Sequence, residues 1–137
     1  MESEGETMMK AEELRDGLAQ FTGTDGYAKY PGGLLLTDGI RFLAENAGAF
    51  WLLDVIASYQ PRCRRDPMLR DMQFWTLKRV PDTSKAVVTC DDGDGHVKIT
   101  QKIPFTDFPL AEVKIWVELG SADGVNPHYV VMLPGER

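Results

Sequence analysis

Cys90, Asp91, Asp92, Asp94 and His96 place a thiol, three carboxylates and an imidazole within the seven residues CDDGDGH. Such groups can hold a metal ion or move protons, and their spacing decides whether they do. A calcium loop of the EF-hand kind needs a bidentate glutamate at its twelfth position, which counted from Asp91 is Lys102. A transition-metal site needs three or four converging ligands, and no second His or Cys lies close in sequence. The segment does match a hairpin turn, because Gly93 and Gly95 supply positive φ and aspartates bond their own backbone in tight turns. It is therefore read as a turn between two strands, with no metal ligand, cofactor or catalytic residue assigned.

Chemistry could also reside at three other places. Asp54 is the sole charge in FWLLDVIASY, on a helix expected to be buried, where a carboxylate must be hydrogen-bonded, paired or protonated. Tyr27, Tyr30 and the Gly32-Gly33 backbone are its expected partners. Arg62, Arg64, Arg65 and Arg70 form a basic cluster suited to an acidic protein surface or a phosphate. Cys63, set among those arginines, is a reactive thiol if exposed. Phe105, Asp107 and Phe108 lie in a connection richer in aromatics than a solvated loop requires, and aromatic anchors are typical of contact sites; tucked beneath the sheet they would instead be core. His128 has no Ser, Cys or Asp constellation near it and reads as structural. No G-x-S-x-G, phosphate-binding glycine loop, dinucleotide fingerprint or H-E-x-x-H is present.

These residues need elements to position them. Residues 1–8 are acidic and aperiodic and read as a disordered tail, with one α+β domain over 9–137. From Lys10 to Phe21, Ala11, Leu14, Leu18 and Phe21 recur at helical spacing. TGTDGYAKYPGG reads as a loop. Thr37 or Asp38 then caps a helix with Ile40, Leu43, Ala44 and Ala47 on its inner face, Arg41 and Glu45 paired outside, and Gly48 ending it. The segment Ala49–Tyr59 is apolar in nearly every direction and is expected to be a central helix covered on several sides, stopped by Pro61. After Pro67 the period becomes two: MQFWTLKRV, KAVVTC, HVKITQKI, EVKIWVELG and the shorter HYVVMLP are strand candidates. Helices followed by strands predict two or three N-terminal helices packed on one face of a four- to five-stranded antiparallel sheet.

The chain has 137 residues, 43% hydrophobic and 26% charged, with a net charge of −6 and a pI near 4.9. That size can bury a core without disulfide or metal staples. The negative field argues against nucleic acid and anionic lipid, although a local patch can override it. Cys63 and Cys90 form no zinc or C-x-x-C spacing, and the longest apolar run is too short to span a bilayer. The expected compartment is therefore the cytoplasm, with both thiols free.

YPGGLLLTDGIRFLAENAGAFWLLDVIASYQ, together with TCDDGDG, QKIPFTDFPL and a closing VVMLPGE, resembles a family of small bacterial proteins met on phage, plasmid or other mobile DNA and known by a domain of unknown function. The resemblance covers about residues 27 to 135 and supplies no catalytic residues. It implies an accessory protein that acts by binding a host protein, for example to inhibit a defence system. The expected function is thus non-enzymatic binding of a protein partner, or of a second copy in a homo-oligomer. The contacts would run through the sheet edge, the Phe105–Leu110 connection or the Arg62–Arg70 segment. The alternative from another class is a small hydrolase or ligand-binding protein with a pocket around Asp54, and a third is nucleic-acid binding through the arginines.

Overall fold

A computed structural model describes residues 9–121 and 127–137, so the expected acidic tail at 1–8 lies outside it. The chain opens with α1 (Ala11–Leu18), shorter than the apolar spacing predicts. Beyond Leu18 the backbone tightens, with Phe21 N bonding Leu18 O at 3.2 Å. Phe21 still packs on the next helix, its ring 5.3 Å from that of Phe42. The two helices come close because Gly17 faces Phe42, where a Cβ would lie 2.5 Å from the ring.

The stretch read as a loop running into a helix instead holds two short strands, β1 (Ala28–Tyr30) and β2 (Leu34–Leu36), paired antiparallel around Gly32 and Gly33 at φ 88° and 76°. All three leucines of β2 are buried. A strand covered on both faces carries a continuous apolar run rather than an alternating one, so its sequence resembles the start of an apolar helix.

Helix α2 (Asp38–Ala47) follows the sequence reading. The Thr37 hydroxyl accepts from Ile40 N at 3.3 Å, Ile40, Leu43, Ala44 and Ala47 are buried, and Gly48 ends the helix in the left-handed region at φ 60°. Arg41 and Glu45 pair at 3.8 Å. Helix α3 (Phe50–Ser58) corrects an expectation: only Leu52, Leu53 and Ile56 are buried, while Phe50 and Asp54 are exposed. Apolar residues in every direction do not ensure neighbours in every direction. Pro61 stands in the first turn of α4 (Gln60–Arg64), where the missing N–H is harmless, so it begins a helix rather than stopping one.

The second half supplies β3 (Met72–Arg79), β4 (Ala86–Asp91), β5 (Val97–Ile103), β6 (Glu112–Ser121) and β7 (Pro127–Met132), then a 3-10 turn at Pro134–Glu136. The sheet order is β1-β2-β7-β6-β3-β4-β5. All neighbours are antiparallel except β2 and β7, which run parallel with Leu35 opposite Val130. The fold is therefore α+β as expected, but with four helices, and with seven strands among the described residues in a mixed, mostly antiparallel sheet. Alternation holds along β3, where Gln73, Trp75 and Leu77 are buried while Phe74 and Thr76 are partly exposed. Trp75, Leu77, Val88, Ile115 and Val131 share one core cluster with Leu43, Leu53 and Ile56 of the helices. Among the described residues no helix is long and apolar enough to cross a membrane.

Candidate functional site

At one margin of the sheet, β5 pairs with β4 and, among the described residues, has no neighbour on its other side. Along it Lys98, Thr100 and Lys102 alternate with Ile99, Gln101 and Ile103, and both isoleucines are buried. An open edge leaves a row of backbone donors and acceptors available to another extended chain. Val97 at its start is 56% exposed, and Phe105 just past its end is 71% exposed. Between β4 and β5 at that end lies a hollow of about 430 Å³ lined by Val80, Ala86, Val87, Ile103 and the lysines 85 and 102.

The connection after β5 separates the two phenylalanines that the sequence groups together. Thr106 N bonds Ser84 O at 2.7 Å, and the Thr106 hydroxyl accepts from Phe108 N at 3.1 Å. This local turn sends Phe108 inward, where it is 1% exposed, and leaves Phe105 and Asp107 in solvent. As a candidate contact residue Phe108 is thus corrected to core, whereas Phe105 and Asp107 are accessible.

The arginine segment is divided in the same way. Arg62 donates to Lys98 O on β5 at 2.7 Å, fastening α4 to the edge strand. Arg64 donates to Gly32 O at 2.7 Å and lies over the Tyr129 ring at 5.0 Å, a cation–π contact. These two guanidiniums bracket the fold, while Arg65 and Arg70 are exposed and make no such anchoring contact among the described residues. Lys98 pairs with Asp66 at 3.5 Å.

Asp54 is exposed on the outer side of α3, which corrects its expected burial. Of its expected partners, Tyr30 is the one engaged: its hydroxyl donates to Asp54 Oδ1 at 2.5 Å. Partial burial, then the bonded carboxylate, push the Tyr30 phenol up to about 12. The enclosed carboxylate on which the hydrolase reading rested is not formed.

CDDGDGH closes the β4–β5 hairpin, with Gly93 and Gly95 at φ 90° and 88°. Asp92 organises it, accepting from Asp94 N at 2.9 Å, from His96 N at 3.2 Å and from the His96 ring at 2.9 Å. The Asp94 amide chiefly, with His96, holds the Asp92 carboxyl below its ordinary range. Cys90 points into the core while His96 stands in solvent, so they do not converge. Cys90 instead meets Cys63, both fully buried and free. The Cys90 thiol donates to its neighbour Asp91 O at 3.9 Å. The adjoining Cys63 sulfur, together with burial, pushes Cys90 far up, while the Cys90 thiol lowers Cys63 against the opposing effect of burial. Burial removes Cys63 from the exposed setting that a reactive thiol requires.

The sequence reading missed a buried polar cluster at this end of the sheet. Gln60 and Gln73, both 0% exposed, exchange side-chain bonds at 2.9 Å in each direction, and Trp75 Nε1 donates to Gln73 Oε1 at 2.8 Å. Tyr59 donates to Gln101 Oε1 at 2.8 Å. The available signal was polar residues at inward positions of the alternating strands, Gln73 on β3 and Gln101 on β5.

Residues 12–137 match a family of unknown function, DUF6876, and the chain belongs to that family. No curated protein and no solved structure matches it.

Proposed function

We propose that this member of DUF6876 is a non-enzymatic, cytoplasmic accessory module, carried by bacterial or mobile DNA, that binds another protein by taking an extended, acidic segment onto β5. The carrying observation is the outer edge of β5, which no strand pairs among the described residues; Arg62 takes the Lys98 carbonyl, and the stretch Ile99–Ile103 stays open and ends beside the exposed Phe105. Main-chain bonds along such an edge provide affinity, and pockets for alternate side chains provide selectivity. Here Lys85 and Lys102 favour carboxylates, Lys98 being already paired with Asp66, and the hollow between β4 and β5 admits an apolar side chain. A second copy is a poor occupant. Antiparallel pairing of two β5 strands about Thr100 sets Lys98 opposite Lys102 twice, and like charges directly opposite destabilise a pair.

The test is selection from a displayed library of extended peptides, followed by hydrogen exchange of the complex. Enriched peptides are expected to carry acidic residues at alternate positions and to slow exchange of the β5 amides. Phe105→Ser and Lys102→Glu should each abolish enrichment. Selected peptides that leave β5 exchange unchanged would overturn the reading.

A further inference from the structure

We propose that the cleft between α1 and the β3–β4 hairpin binds a phosphate group through Arg15 and Arg79. The cleft measures about 700 Å³ and lies apart from the β5 edge strand. Arg79 is the last residue of β3 and shares the alternation of Gln73, Trp75 and Leu77, so its side chain leaves the sheet on the core side. It is held there by two bonds, Arg79 N to Ala111 O at 2.9 Å and Arg79 Nη2 to Thr83 O at 3.0 Å. Its Nε is buried and has no hydrogen-bond partner. A buried donor on a cation without an acceptor costs more free energy than a neutral one, so this N–H needs an oxygen.

Arg15, from the last turn of α1, lines the same cleft. Neither arginine forms an ion pair among the described residues. Asp82 also lines the cleft but pairs with neither, so one carboxylate stands against two guanidiniums and the lining stays positive. Two arginines lining one space suit a tetrahedral oxyanion, which has oxygens for both, better than a planar carboxylate with two. The Thr83 and Ser84 residues of the hairpin border the same space. The net charge of −6 argues against a phosphate polymer, which would meet the repelling field of the whole surface and not the cationic cleft alone. The ligand is a single phosphate, free or borne by a small molecule.

The experiment is an NMR titration of the full chain at constant ionic strength with inorganic phosphate, phenyl phosphate and acetate. Phosphate should move the Arg79 Nε–H signal and the Thr83 and Ser84 amides saturably, and acetate should not. Tighter binding of phenyl phosphate assigns the site to phosphate monoesters, and equal binding assigns it to the free ion. Arg79→Met should abolish the response, and Arg15→Gln, on an exposed helix position, should weaken it about tenfold, on the order of one charge-assisted bond. Shifts that acetate reproduces, or that survive unchanged in Arg15→Gln, would overturn the proposal even if Arg79→Met failed to fold.

Discussion

The Thr37 hydroxyl donates to Glu136 Oε1 at 2.6 Å, joining residues 99 positions apart. The same carboxylate accepts from Gly39 N and Leu133 N, each at 2.9 Å, so it satisfies one first-turn amide of α2 and opposes the positive end of that helix. Thr37→Ala should cost about 1 kcal/mol and Glu136→Ala about 2 kcal/mol in urea denaturation. Because the two share one bond, the double variant should lose less than the sum.

Lys102→Glu should convert the edge strand from self-avoiding to self-pairing. Two copies paired about Thr100 would then set Lys98 against the introduced carboxylate on both sides. Sedimentation velocity should show a dimer for the variant at low salt that dissociates as salt screens the pairs, and a monomer for the parent chain.

Gln73→Leu should be costly although it adds apolar surface. It leaves the Gln60 amide and the Trp75 N–H buried without their partner, a loss of about 2–3 kcal/mol by denaturant titration. Gln60→Leu together with Gln73→Leu should recover part of that loss, because only the indole then lacks an acceptor.

The Tyr30–Asp54 bond predicts an alkaline transition. The phenol is raised from about 10 to about 12, so its contribution to stability is complete below pH 10 and is lost as pH rises towards 12. Phenolate absorbance should show one tyrosine ionising late, and Tyr30→Phe should remove that phase and flatten the stability profile between those values.

Features held by neighbours in sequence were legible before the fold was known. Thr37 and Gly48 bound α2 because caps act within a turn of the helix, and the CDDGDGH hairpin follows from glycine geometry and Asp92. Features fixed by remote pairing were not legible. Leu34–Leu36 became a strand because Ala28–Tyr30 lay along one side and the remote Tyr129–Val131 along the other. The separate fates of Phe105 and Phe108 turned on a single Thr106 hydroxyl. Of the proposed contact surface, the sheet edge and Phe105 were foreseen, whereas the anchoring of Arg62 and Arg64 to backbone carbonyls depends on where α4 comes to rest. Nothing in the spacing of Arg15 and Arg79 announces a shared cleft.

Strand β7, made after the six other described strands, is inserted between β2 and β6 rather than added to a margin. Until Pro127 and its successors emerge, a nascent chain can hold only two partial sheets, one of two strands and one of four, each with an unfilled seam. Chains terminated early therefore lose the keystone of the architecture, and their exposed seams make them natural clients for chaperones and proteases.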